Sequence, residues 1–453
     1  MAILEEVDKS PVDAFLLLRN LDYPFILSGG DIARQGRFTF IGADPFTVLK
    51  TGSADPFKEA SKILSEYRNP RPGPFPFNGG GVGYFSYGLK NIIEEKFYGH
   101  IEKKGEPASS VPLCLVGFYD IVFVYDHLKG KGYLVRQDIP DAKDGKKRFE
   151  KMKKLLAGPG KPKIFSGGMA GLAFQSNLTK EDYIRIVEKA LDYITAGDIY
   201  QINLSQRLKI PWQNDPFSLY LALLEKSPGR FASFMDCKAF QIISNSPERF
   251  LKVAGDVVTT EPIKGTRPRG KTPQEDLSLM EELKKSPKEK AEHLMIVDLE
   301  RNDLGKVCLP GTVTVTDFER IETYQSIHHM VSTIRGRLAQ GIDAGAALRA
   351  CFPGGSITGA PKIRAMEIID ELETAPRGIY TGCMGWMDFG GDMDMSMAIR
   401  TAIHMDKTLW LNVGGGIVAD SKPEEEYAET ILKAKDFLRI VLEEGPRNRR
   451  AGL

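Results

Sequence analysis

The sequence predicts an α+β fold of large antiparallel sheets packed with helices. Three observations predict it. Strand-like runs follow one another across short turns, as antiparallel neighbours allow. Helical periodicities are interspersed irregularly instead of alternating with strands. No repeat recurs at a fixed period, and heptads and low-complexity tracts are absent from the sequence.

The elements justify this in order. Phe25-Ile26-Leu27, Phe38-Thr39-Phe40-Ile41 and Ile121 to Tyr125 are apolar, β-prone runs. The glycine cluster Asn78-Gly79-Gly80-Gly81 breaks them with turn chemistry. The segment from Leu156 to Gly171 holds GPGKPK and SGGMAG, which read as a connection. Thr179-Lys180-Glu181-Asp182 is a capping box. Ile184, Val187, Leu191 and Ile194 follow at helical spacing, and Gly197 stops the helix. Strands are expected at Tyr200 to Leu208, Ala239 to Ser244, Phe250 to Val253 and Val257 to Thr260. Ser286-Pro287 opens a helix to about Asp303, and Pro361 opens another to about Leu372. Tyr380 to Val413 reads as one antiparallel meander, turning at Gly390-Gly391-Asp392 and Asp406-Lys407.

Bulk properties narrow the function classes. The 453 residues suffice for two or three domains, or one composite domain with a large core. With 61 basic and 60 acidic residues the net charge is +1, so no polyanionic partner is favoured and nucleic acid is not expected. The five cysteines are scattered without a CxxC, which fits a reducing cytosol and a cytoplasmic location. The N-terminus lacks the features of a signal peptide. The apolar stretch Val111 to Tyr119 is too short for a membrane span.

Several constellations stand out, each with a plainer alternative. Glu292 sits beside Met295, Ile296 and Leu299 on one helical stripe, where an unpaired carboxylate is costly to bury. The alternative is an amphipathic edge residue. Glu426 and Glu429 share a helix face, where like charges repel unless a cation bridges them. The alternative is acidic decoration of a helix start. Carboxylates without histidine or cysteine partners suit a hard cation such as Mg²⁺. The run Gly354 to Lys362 leads into a helix, but glycine does not directly precede Lys362, so it is not a Walker A loop. Gly414-Gly415-Gly416 ends a strand and permits close approach of a ligand or serves as a turn. Arg400 interrupts an apolar strand and needs a carboxylate, from a ligand or from the protein. Lys264 lies between Ile263 and Gly265, and His328-His329 is a pair of unassigned role.

Taken together, these stretches resemble the chorismate-utilising enzymes. The matching segments are GDIYQINLSQR, SNSPERF, EPIKGT, AEHLMIVDLERNDLG, HHMVSTI, FPGGSITGAPKIRAMEIIDELE, RGIYTGCMGW, AIRTAI and GGGIVADSKPEEEYAET, across about residues 197 to 435. RFTFIGADP and FPFNGGGVGYFSYGL extend the likeness into the N-terminal half. The resemblance implies an anthranilate-synthase-like chorismate-binding fold. It divides the chain into an N-terminal region similar to anthranilate synthase component I (1–155), a connecting segment (156–175), a catalytic region (176–440) and a tail (441–453).

Two positions set the expected subfamily. Gln201 stands where the water-using isochorismate and salicylate synthases carry a lysine base, which implies ammonia as nucleophile. Lys264 stands where anthranilate synthases carry alanine, and the lysine version resembles the aminodeoxychorismate synthase large subunits. That resemblance implies Mg²⁺-dependent amination of chorismate at C4, yielding 4-amino-4-deoxychorismate for 4-aminobenzoate and folate synthesis. It further implies attack of Lys264 on ring carbon C2, forming a transient covalent intermediate. Such an amine must be neutral, so its pKa is expected to be lowered by burial and a neighbouring cation. The alternatives are anthranilate synthase component I, acting in tryptophan synthesis, and a non-catalytic chorismate or tryptophan sensor.

The remaining roles carry over residue by residue. Glu248 is the expected general acid and base. Mg²⁺ falls to Glu292 and Glu429, with Glu426 close by. Arg400, Tyr380 and the amides of Gly414, Gly415 and Gly416 take the enolpyruvyl carboxylate. Thr358 and Ala360 line the ring side, Asn203 positions the ring, and His329 serves proton transfer or ring contact. No glutamine-hydrolysing domain is recognisable, so a glutaminase subunit is the expected ammonia source. Some members hold tryptophan between N-terminal strands. Here Phe25-Ile26-Leu27-Ser28 lacks the glutamate of the usual inhibitor motif, which weighs against feedback control.

Overall fold

The computed structural model describes residues 3–29, 36–51, 54–69, 73–98, 110–139, 142, 144–159, 174–324 and 327–443. Most of the expected 156–175 connection and of the 441–453 tail lies outside them.

Helix starts follow local chemistry. Ser10, Asp55, Asp215, Thr272 and Ser286 each cap a helix whose next residue is proline. The side-chain oxygen satisfies an orphan N–H, and proline gives up only an N–H that has no partner there. The capping box at Thr179 and Asp182 opens the Lys180–Thr195 helix, and Gly197 follows its end with φ 82°.

Two sheets organise the described residues, one of 12 strands and one of 10. Pairing between their strands is antiparallel throughout. The first runs from Ile3–Val7 at one edge through Phe25–Ser28 and Phe231–Asp236 to Thr408–Ile417, Gln201–Pro211 and Gly359–Ala360. The second runs from Ile263–Pro268 through Arg249–Ala254, Met393–Met397 and Gly80–Phe85 to Thr47–Lys50. Both sheets therefore take strands from both halves of the chain.

The sheets face each other across an aromatic core. Phe25, Phe40 and Ile242 of the first meet Tyr84, Met384 and Trp386 of the second. The outer face of the first is covered by the Pro11–Leu18, Gly145–Leu156, Pro216–Lys226 and Pro423–Glu443 helices. The outer face of the second is covered by Pro56–Glu66, Pro287–Gly305 and Ala344–Cys351. The result is an α+β stack of helix, sheet, sheet and helix, as expected from the sequence. All five cysteines are buried and unpaired. Among the described residues no helix is long and apolar enough to cross a membrane.

One expectation is corrected. Tyr380 to Val413 is not a single meander. Cys383–Asp388 and Met393–Met397 pair in the second sheet, whereas Thr401–Met405 and Thr408–Ile417 pair in the first. The chain changes sheets at residues 398–400, and Arg400 takes φ 49° there. Arg400 is thus a crossover residue and not a strand residue. Hairpin periodicity is identical within one sheet or across two, so local pattern cannot register the switch.

Candidate active site

The strand Thr408–Ile417 ends in the three glycines. It pairs with Gln201–Pro211, placing Asn203 opposite Gly416 and Ser205 opposite Gly414. On its other side Gln201 pairs with Ala360. Sheet register alone thus gathers Gln201, Asn203, Ala360 and the glycines.

Missing side chains make room for what surrounds them. A Cβ on Gly414 would lie 2.7 Å from the Tyr380 hydroxyl and 3.0 Å from Asn203 Oδ1. One on Gly416 would lie 2.8 Å from Gln201 Nε2 and 3.3 Å from Lys264 Nζ. One on Gly415, facing the other way, would lie 3.1 Å from Glu426 Oε2 and 3.7 Å from Glu429 Oε1. The bare strand thus brings Lys264, Tyr380, Gln201 and Asn203 to one face and two carboxylates to the other. Alanine at Gly414 also collides with the Leu204 carbonyl, at 2.6 Å. Gly414→Ala is expected to cost about 1–3 kcal/mol and to raise KM for chorismate at least about tenfold. Thermal unfolding and steady-state kinetics check both effects.

The first candidate acid is Glu248, buried at 5 % exposure. Burial pushes its carboxyl up to about 7, against Ser356 and Lys264, which pull it down. Ser356 Oγ donates to Glu248 Oε1 at 2.7 Å, and the Ile263 backbone also bonds it. A carboxyl poised near neutrality suits general acid chemistry.

Lys264 lies beside it on the Ile263–Pro268 strand. Burial lowers its pKa against Glu292 and Glu248, with Lys433 adding to the lowering. This is the depression expected from the sequence, and the neighbouring cation is Lys433. Among the described residues the amine makes no ion pair or hydrogen bond. His329, on the adjoining strand, hydrogen-bonds Thr266 Oγ1 through Nδ1 at 2.9 Å. Burial and Arg400 lower its pKa to about 3, so the ring is neutral at any working pH. A neutral ring suits a hydrogen-bonding contact better than an imidazolium acid.

The Arg400 guanidinium has no carboxylate partner among the described residues. Burial lowers its pKa against the attraction of Asp436. It is a cation held without its counter-ion, near the neutral His329. Tyr380 is buried, which raises its pKa, so its hydroxyl is a donor.

Three carboxylates were expected to hold Mg²⁺. Glu426 is buried, with Oε1 accepting from Ser421 at 2.6 Å and Oε2 left without a partner. Its pKa is raised by burial and by Glu429. Glu429 stands more open, with Lys433 2.7 Å away. Burial pushes its pKa up, but Lys433 together with Lys264 and Lys288 outweighs burial and lowers it. Glu292 is raised by burial, with Glu289 and Glu426 adding to the rise. Among the described residues no three Asp, Glu, His or Cys side chains close into a metal-holding group. The acids fit a hard ion that keeps open positions for water and substrate oxygens, the usual habit of Mg²⁺. The orphaned buried oxygen of Glu426, and the repulsion it feels from Glu429, are what a bound cation would relieve.

Several other expected polar residues share the orphaned state. Gln201 Nε2 and Oε1, Asn203 Oδ1 and His329 Nε2 are buried without partners among the described residues. Folded proteins pair most such atoms, and those of Gln201 and Asn203 lie beside the glycine strand, where a polar ligand would satisfy them. Thr358 differs. Its hydroxyl donates to the Gly354 carbonyl at 2.9 Å, so it closes the turn, and its carbonyl accepts from Asn203 N.

Other residues were not anticipated. Lys433 donates to the Gly414 carbonyl at 2.8 Å while pairing with Glu429. Its spacing of four residues after Glu429 was the available signal. Arg377, paired with Glu373, donates to the carbonyls of Asn203 at 2.7 Å and Ile357 at 3.0 Å. It ties three site elements together, and no local pattern announces that.

A second cleft of about 110 Å³ lies by the N-terminal strands, lined by Leu27, Ser28, Phe38, Phe40, Arg230 and Trp386 among others. Leu27 stands where the tryptophan motif would need its glutamate. The cleft's acid, Asp394, is held by Arg249 at 2.9 and 3.1 Å.

Comparison with known proteins places this geometry. The profile of the chorismate binding enzyme family matches residues 24–439. Anthranilate synthase component 1 of Aquifex aeolicus is 38% identical over 445 residues, covering 92% of this chain and 86% of that protein. Its counterpart in Thermus thermophilus is 38% identical, covering 96% and 95%. The crystal structure of anthranilate synthase component I from Streptococcus pneumoniae superposes with a TM-score of 0.80 at 32% identity, covering 89% and 92%.

These likenesses overturn the expected assignment to aminodeoxychorismate synthase, with its C4 amination and 4-aminobenzoate product. That assignment turned on Lys264, and a lysine beside the ring does not by itself decide which carbon is aminated. Likeness along nearly the whole chain outweighs one position. From the profile match and from relatives covered almost end to end, the chain belongs to the chorismate-binding enzyme family.

Proposed function

We propose that this chain is the chorismate-aminating subunit of an anthranilate synthase. Ammonia adds at C2 of chorismate, the C4 hydroxyl leaves as water, and pyruvate is then expelled to give anthranilate. One observation carries the choice of product: 38% identity to anthranilate synthase component 1 across nearly the whole chain.

The residues divide the work. Arg400 and Tyr380, with the glycine amides, take the enolpyruvyl carboxylate as charge-assisted and neutral donors. Asn203 and Gln201 satisfy their orphaned groups on the ring and its hydroxyl, and Ala360 lines the ring side. Glu248, protonated, gives its proton to the departing C4 hydroxyl. Lys264, whose proton affinity is lowered by burial, takes a proton from the nitrogen newly bonded to C2. Loss of the C2 proton and of the enolpyruvyl group then makes the ring aromatic. Glu292 and Glu429, with Glu426 beside them, would hold Mg²⁺, which when bound would supply positive charge for the ring carboxylate. A glutaminase subunit supplies the ammonia, with free ammonium as a poorer source.

The test is direct. The purified chain, given chorismate, Mg²⁺ and ammonium, is expected to produce anthranilate fluorescence and stoichiometric pyruvate without any added lyase. EDTA is expected to abolish both. Accumulation of a non-aromatic amino product that needs a separate lyase would overturn the reading.

A further inference from the structure

Glu300 lies on the Pro287–Gly305 helix, two turns beyond Glu292, and is 3 % exposed. It touches none of the groups assigned to substrate. Its Oε1 accepts the Gly355 N–H at 3.1 Å, the Ser356 backbone also bonds it, and Thr260 Oγ1 donates to Oε2 at 3.4 Å. Gly355 and Ser356 begin the tight Gly355–Ile357 turn. The same turn sends Ser356 Oγ to Glu248. Leu299 packs where a Gly355 side chain would be, 2.6 Å from that Cβ position. The turn is therefore clamped from below by one helix.

We propose that Glu300 is a positioning residue for the general acid: it fixes the Gly355–Ile357 turn, and the turn aims the Ser356 hydroxyl at Glu248. The inference rests on the reading of Glu248 as that acid. One helix then carries both Glu292, on the metal side, and the anchor of the acid side. Eight residues at 1.5 Å each separate the two by about 12 Å along the axis. A rigid helix keeps that spacing constant through turnover.

The Ser356 bond stabilises the ionised form of Glu248. A turn that drifts loses the bond, and the pH at which Glu248 loses its proton rises. Glu300 also repels the Glu248 charge, and losing that repulsion would lower the pH, so an upward move reports the lost Ser356 bond.

The experiment follows kcat, KM and the alkaline limb of kcat/KM in Glu300→Ala, Ser356→Ala and their double variant, with Glu300→Gln and Glu248→Gln beside them. Glu300→Ala is expected to lower kcat about tenfold, leave KM within about twofold and move the alkaline limb upward. Ser356→Ala is expected to move the limb likewise, and the double variant to add little, because the two act in series. Glu300→Gln, whose amide oxygen still accepts the Gly355 N–H, is expected to recover most of the lost kcat. If the alanine variant does not fold, Glu300→Asp, with its shorter reach, gives the same readout. An unmoved limb in Glu300→Ala or Glu300→Asp, or additive effects in the double variant, overturns the proposal alone. Activity retained by Glu248→Gln overturns the acid reading and the proposal with it.

Discussion

Glutamine in place of Glu248 is expected to lower kcat by about 10²–10⁴-fold. The C4 hydroxyl is a poor leaving group, and it departs as water only if a proton arrives with it. Glutamine matches the glutamate in size and still accepts from Ser356, so the site keeps its shape and loses the proton. The native enzyme is expected to show kcat/KM falling as pH rises through about 7, where the carboxyl ionises. The variant should have no such limb. Stability should move the other way. A carboxyl whose folded-state pKa is raised contributes stability that is fully present below its unfolded value and lost as pH rises through about 7. Glu248→Gln should therefore unfold at a higher temperature than the native chain at pH 8, the difference shrinking toward pH 5. The underlying energy is about 3 kcal/mol. Full kcat in the variant would remove Glu248 from the chemistry.

Arg400→Ala is expected to cost about 2–5 kcal/mol of binding, roughly 30- to 4000-fold in kcat/KM, expressed mainly in KM. The guanidinium sits in protein surroundings that lower its pKa, beside an imidazole that stays neutral. It lacks an ion-pair partner among the described residues, which leaves it free for the substrate carboxylate that the proposed function assigns to it. Arg400→Lys keeps the charge but not the planar fork, and about a tenfold loss is expected. Steady-state kinetics on chorismate separate the two substitutions. An unchanged KM in Arg400→Ala would place the enolpyruvyl carboxylate elsewhere.

The two residues differ in how far their sequence context described them. Glu248 lies in SPERF, where the motif names the role but not the environment. Its proton affinity comes from burial, Ser356 and Lys264, and Ser356 is more than 100 residues away in the chain. Arg400 looked like a charged residue in an apolar strand. In the folded chain it occupies the crossover between sheets, where positive φ turns it out of both ladders. Lys264 shows the limit of motif reading. Its burial and lowered pKa followed from chemistry, but the subfamily inferred from that one residue did not stand against likeness along the whole chain. Arg377 acts through contacts with distant carbonyls, so no spacing rule finds it, whereas Lys433 was marked only by its four-residue spacing from Glu429.

What the sequence by itself determined is local. Caps followed by proline set where helices begin, apolar runs set strands and their α+β class, and ordered motifs set the family. Only the tertiary structure decided which strands share a sheet, where the chain crosses between sheets, and which polar atoms lie buried without partners. The physical reason is range. Capping and alternation act within a few residues along the chain, whereas register, burial and electrostatics depend on neighbours hundreds of residues apart that meet only after folding.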